Sequence, residues 1–216
     1  MQDQLISNWD NLYQNGNNPQ WEDLEPNQEF LSLVHAFIKP EMKVLEIGSG
    51  LGHNALELAK KEVDITASDV SSIAMERCKK MAEESGFKLG TQILDIMSPS
   101  SDIGTYDLVF DKGCWHSFFT YESRRKYVTQ VCTLLCEGGI WVNSSGSADN
   151  PDDPSDPHVG SYPRLTLSDI TSLVEPHFEI IQIRRGQYGN NTGKDFYTWE
   201  GVFKKRANQA IHATSA

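Results

Sequence analysis

The chain has 216 residues, 38% of them apolar and 23% charged, with a formal net charge of -11. That is the size and balance of one large globular domain with enough apolar residues for a substantial core. The acidic excess repels phosphate backbones and anionic bilayers, so neither nucleic acid nor a membrane is an expected partner. Taken in chain order, the first 27 residues are polar and aromatic, with a short helix expected over 3–14. EFLSLVHAFI (29–38) has a helical apolar period that Pro40 ends. MKVLEIG reads as a buried strand, HNALELAKKE as a helix, VDITASD as a strand, and SSIAMERCKKMAEESG as a helix closed by Gly86. LGTQILDI and YDLVFDKG are the third and fourth strands, SRRKYVTQVCTLLCEGG a helix, IWVNSSGS the fifth strand and LTLSDITSLVEPH a helix. FEIIQIRRG and DFYTWEGVFKK follow as strands, joined by a stretch too short and turn-rich for a crossover helix. Alternating strands and helices predict an α/β fold, a Rossmann-like doubly wound seven-stranded sheet, mostly parallel, with an antiparallel C-terminal hairpin strand.

The opening MQDQLISNWD has no basic n-region and no apolar h-region, so a cytoplasmic location is expected. Cys78, Cys114, Cys132 and Cys136 are then expected as reduced thiols. Cys132 and Cys136, four apart on an expected helix, share a face and are read as packing; no metal is expected. The basic runs at Arg124–Lys126 and Lys204–Arg206 read as solvated faces.

The chemistry is announced by VLEIGSGLGHN (44–54). Gly48, Gly50 and Gly52 supply bare backbone just past a buried strand, where a Cβ would block a ligand. Asp69 ends the next strand, where an acid can accept from two ribose hydroxyls; it can also cap the following helix. The dinucleotide fingerprint G-x-G-x-x-G is not met, because the third glycine comes one residue early. Glu46 beside the turn disfavours a pyrophosphate and favours a cation. An NAD-dependent oxidoreductase is thereby the weaker reading.

The pattern E-x-G-x-G-x-G over Glu46–Gly52 resembles motif I of the class I S-adenosylmethionine (SAM) methyltransferases. The resemblance continues in order through Asp69, LDI (94–96), YDLVFDKG (106–113), EGGIWV (137–142) and the final hairpin. It implies SAM as cofactor and S-adenosylhomocysteine as product. The implied cofactor residues are Glu46, Gly48, Ser49, Gly50, Gly52, Asp69 and Val70 for the turn and ribose. Asp95 and Ile96 would lie at the adenine, and Asp111 and Lys112 at the methionine moiety, with Asp111 on the ammonium. DKGCWHSF departs from the amino-methylating motif of nucleic-acid enzymes, and Cys114 lacks the preceding proline of cytosine C5 enzymes.

Trp9, Asp10, Tyr13, Gly16, Pro19 and Trp21, with DKG-C-x-H, are similar to the thiopurine and tellurite-resistance methyltransferase group. That implies an N-terminal lid over residues 1–28, the methyltransferase domain over 29–206 and a flexible tail over 207–216. It also implies a small-molecule acceptor, a thiol or other soft nucleophile, with N- or O-methylation and a non-catalytic SAM-binding regulator as alternatives. Trp9 and Trp21 would help to hold the cofactor. Asp111 and His116 are the expected catalytic residues, His116 as a base near neutral pH. Tyr13, Trp115, His116 and Arg164 are the expected acceptor contacts. The acidic, proline-rich stretch SGSADNPDDPSDPHVGSYPR reads as a substrate wall. A monomer or homodimer is expected.

Overall fold

The protein was analysed as a computed structural model that describes residues 9–14, 26–99, 103–150, 164–188 and 196–207. Trp21, the stretch 151–163 and the tail beyond 207 lie outside these, as does most of the expected lid. After a helical segment at 9–13 come α1 (Gln28–Ala36), β1 (Lys43–Ile47), α2 (His53–Ala59), β2 (Asp64–Asp69), α3 (Ser72–Ser85) and β3 (Gly90–Ile93). Then follow β4 (Tyr106–Lys112), a 3-10 turn (Trp115–Ser117), α4 (Tyr121–Leu134), β5 (Leu135–Gly146), α5 (Leu167–Val174), β6 (Phe178–Tyr188) and β7 (Phe196–Lys205).

The seven strands form one sheet ordered β3-β2-β1-β4-β5-β7-β6, with β7 antiparallel to both neighbours and the other pairings parallel. This is the expected doubly wound α/β sheet. Two cores follow from strand alternation. Leu108, Phe110, Val142 and Val202 point to the face covered by α1, α2 and α3, while Val109, Trp141 and Phe203 point to the face covered by α4 and α5. Trp141 touches Trp115, Phe178 and Phe203 with ring centroids 5.1–5.5 Å apart. Burying each such ring contributes about 1.5–3 kcal/mol.

Local signals set the helix ends. Asn27 accepts from the Phe30 amide, Ser71 from Ala74, Thr120 from Ser123 and Thr166 from Asp169, each capping the next helix. Gly86 closes α3 in the left-handed region, as expected. One boundary differs. The helix expected to run to the glycine pair at 138–139 ends at Leu134, and Leu135 already pairs with Tyr106 in the sheet. The ladder then jumps to Leu108↔Ile140, and the extra β5 residues bulge around Gly138 at φ +71°. Cys136 therefore lies on a strand, not on one helix face with Cys132. Its Sγ reaches Asp107, and no metal-ligating cluster exists among the described residues. No helix among them is long and apolar enough to cross a membrane.

Candidate cofactor and acceptor site

The strands β1, β4 and β5 deliver their carboxyl ends to one edge of the sheet, beside the crossover between β1 and β4 where ligands bind in this architecture. There the chain turns through Gly48, Gly50 and Gly52 at φ +65°, +54° and +80°. A Cβ on Gly48 would sit 2.7 Å from Cys114 Sγ, and one on Gly52 would run into Cys78 Sγ. The turn thus needs glycine for both conformation and space. Cys114 and Cys78 are the thiols on which it rests. Burial, then the charge of Asp111, pushes the Cys114 thiol well above its usual range, so it is not a nucleophile.

Glu46 is buried, and its two oxygens accept from Asn54 Nδ2 and the Ala55 amide at 3.0 Å. It fastens β1 to the first turn of α2, where a carboxylate suits the helix dipole. Asp69 accepts from the Gly50 amide on one oxygen and the Ser71 amide on the other, both at 2.9 Å. Each oxygen retains acceptor capacity for a hydroxyl. Burial raises its pKa and these amides oppose the rise. Ser49 Oγ, in the turn itself, is buried with no hydrogen-bond partner among the described residues. A backbone cradle, an acid at the end of β2 and an orphaned hydroxyl fit a nucleoside ligand without phosphates. Val70 is half-buried beside Asp69, and Asp95, at the end of β3, accepts from the Met97 amide. Ile96 next to it packs in the core.

The N-terminal segment reaches this edge. Asp10 accepts from Ser71 Oγ at 2.6 Å and from the Ile73 amide, a contact the sequence did not announce. Trp9 is half-buried. Tyr13 packs on Leu51 and Ala74, and its carbonyl accepts from Arg77. Its ring anchors the segment to the glycine turn.

At the end of β4 the structure corrects three expectations. Asp111 is fully buried and accepts from the Trp115 amide, Trp141 Nε1 and Asn143 Nδ2 at 2.9–3.1 Å. It points into the α4/α5 core with its oxygens engaged by these donors, and burial pushes its pKa up to about 6. Trp115 is fully buried beside Trp141 and donates Nε1 to the Arg124 carbonyl, so it is core and not an acceptor contact. His116 Nδ1 accepts from the Gly146 amide at 2.9 Å, which places its proton on Nε2. Burial, then the charges of Arg124 and Lys112, lowers its pKa to about 4. His116 is therefore neutral at pH 7, with its Nδ1 lone pair taken by the Gly146 amide. Lys112 is half-buried with its charge beside Glu200 and His116.

Arg164 donates to the Asn150 carbonyl at 2.9 Å and lies over the Phe196 ring at 5.4 Å. A Cβ on Gly146 would sit 3.3 Å from Phe196 and 3.4 Å from His116 Nδ1. His116, Gly146, Phe196 and Arg164 thus meet at the outer end of β5 and β7. Asn143, which grips both oxygens of Asp111, was missed. Its signal was a lone amide inside the strand run IWVN.

The sheet order, the glycine turn and Asp69 together make a Rossmann-like α/β domain whose ligand edge fits a nucleoside cofactor such as SAM. Residues 44–139 match the family described as Methyltransferase domain. The chain is 27% identical over 115 residues to EEF1A lysine methyltransferase 2 of Danio rerio, covering 50% of this chain and 49% of that protein. The chain thus spans about half the length of this curated relative. Among solved structures it is similar to one reported for conversion of a disulfide bond into a thioacetal group during echinomycin biosynthesis. That pair has a TM-score of 0.79 at 21% identity, over 95% of this chain and 93% of that one. It is also similar to the 1,6-didemethyltoxoflavin-N1-methyltransferase of Burkholderia thailandensis with bound S-adenosylhomocysteine, with a TM-score of 0.73 at 18% identity over 94% and 88%.

Proposed function

We propose that the protein transfers a methyl group from SAM to a small molecule, at a thiol or another soft nucleophile. The observation that carries this reading is that, among the described residues, both expected bases have their lone pairs engaged. Asp111 is sealed in the core, and His116 is neutral with Nδ1 engaged. A thiol, with a pKa near 8.5, supplies its own anion near neutral pH. An alcohol or an ammonium does not. SAM supplies an activated methyl on a sulfonium, so the chain's own task is to hold donor and acceptor in line and keep water out.

Gly48–Gly52 and Asp69 hold the nucleoside, Asp95 and Ile96 border the adenine, and Lys112 stands at the end of β4. Trp9 adds an aromatic wall, and Arg164 is the candidate for an acceptor carboxylate. Trp21 is assigned with Trp9 on the family resemblance alone. The structural relative concerned with a disulfide and a thioacetal supports acceptor chemistry at sulfur.

A second reading follows from the curated relative: methylation of a protein lysine. The test incubates the protein with SAM and, separately, small thiols, amines, phenols, chalcogen oxyanions and EEF1A, with S-adenosylhomocysteine followed by mass spectrometry. Turnover with thiols, rising with the thiolate fraction, is expected. Turnover with EEF1A or amines alone overturns the soft-nucleophile acceptor. SAM binding with no turnover favours a non-catalytic regulator.

A further inference from the structure

β5 overhangs its neighbour. β4 ends at Lys112, paired with Ser144, and the Gly113 amide still donates to the Ser144 carbonyl. Two residues further along β5, at Gly146, β4 has already turned into the 3-10 segment and offers no strand acceptor. The Gly146 amide finds His116 Nδ1 instead, at 2.9 Å. We propose that His116 is a positioning residue, an imidazole that stands in for the missing strand carbonyl and fixes the outer end of β5.

What it fixes is a connected polar and aromatic assembly. The Gly146 carbonyl accepts from the Leu165 amide, and the Leu165 carbonyl accepts from Ala148. Ser147 donates its amide to the Tyr197 carbonyl, and Asn150 bonds the Ser147 and Tyr197 carbonyls and the Tyr197 amide. Arg164 is held through the Asn150 carbonyl and the Phe196 ring. A shift of Gly146 therefore moves Arg164 and Phe196 together. The glycine turn and Asp69 lie on β1 and β2, with β4 between them and β5, and stay put. His116 thus governs the acceptor side of the site and leaves the cofactor side alone.

The substitution series separates this role from others. Asparagine places its Oδ1 near the Nδ1 position and can accept from Gly146; alanine cannot. Hydrogen exchange of the Gly146 amide, read by NMR, needs no acceptor. We expect His116→Ala to speed that exchange at least tenfold and His116→Asn to keep it within about threefold of wild type, since a lost buried bond of about 1.4 kcal/mol is a tenfold change. Calorimetry should give unchanged SAM affinity in both. In the kinetic arm, which alone rests on the proposed function, His116→Ala should raise KM for the best thiol of the panel about tenfold at nearly constant kcat, with rescue by asparagine.

Equal Gly146 exchange in all three proteins overturns the proposal, whatever the acceptor proves to be. So does a fall in kcat without a change in KM that asparagine fails to rescue, since that marks a group acting on the reacting atoms. Failure of every thiol to turn over, with the exchange pattern as expected, removes the acceptor class and leaves the positioning role standing.

Discussion

Asp69 and Asp111 end neighbouring parts of the same sheet, yet their carboxylates do opposite things. Asp69 holds two amides of the ligand-bearing turn and keeps acceptor capacity. Replacing it with alanine should raise the SAM dissociation constant about tenfold or more, because charge-assisted bonds are lost; calorimetry reads this directly. Asp111→Leu should instead leave the Trp115 amide, Trp141 Nε1 and Asn143 Nδ2 without their acceptor. At about 1–3 kcal/mol per unsatisfied donor, the melting temperature falls steeply. Where the variant stays folded, SAM affinity is unchanged; a variant that melts normally but does not turn over would restore Asp111 to the chemistry. The two roles were not equally legible. The glycine turn declares itself through residues that only a tight turn needs, and Asp69 through its place at a strand end. Asp111 follows the same rule and breaks it, because both faces of a parallel sheet are apolar and the run YDLVFDK carries no alternation to say which face Asp111 takes. His116 stands out in the sequence as a titratable residue by the site, but its hydrogen bond to a backbone amide thirty positions away does not.

Among the elements, α3 carries a cap whose second half comes from far away in sequence. Ser71 accepts from the Ala74 amide and donates its hydroxyl to Asp10, joining α3 to the N-terminal segment. Asp10→Ala should cost about 1 kcal/mol, the usual scale of a cap contact. Amides at 73–75 should exchange faster, and proteolysis within the first 27 residues should quicken. Unchanged exchange there would mean that other contacts, the Arg77 bond to the Tyr13 carbonyl among them, hold the segment. Helices and strands were mostly legible because apolar period, caps and terminal glycines agreed. The α4–β5 junction was not. CTLLCEGG continues a helical pattern, and only the pairing of Leu135 with Tyr106, a tertiary contact, converts it to strand.

For the molecule as a whole, a buried carboxylate and a half-buried imidazole titrate in opposite senses. His116 has a native pKa of about 4 against 6.5 ordinarily, so its contribution is full above 6.5 and is lost as pH falls toward 4. Asp111 has a native pKa of about 6 against 3.8, so its contribution is full below 3.8 and is lost as pH rises through 6. Between about pH 4 and 6 the two slopes oppose and flatten each other. His116→Asn removes one of them. Denaturant titrations should show wild type losing on the order of 2–3 kcal/mol relative to the variant as pH falls through that window. A constant difference would mean that His116 titrates normally. The last feature of the sheet bears on how the protein is made. β7 comes last among the described strands but lies between β5 and β6, and β6 pairs with no other described strand. On the ribosome, β6 emerges with no partner and β5 keeps an open edge until residues 196–205 clear the exit tunnel. The cofactor half, built from β1 to β4, has all its strands by then. Synthesis therefore completes the donor side of the site before the acceptor side, and the interval between them is when an unpaired β5 edge is open to chaperones or to another chain.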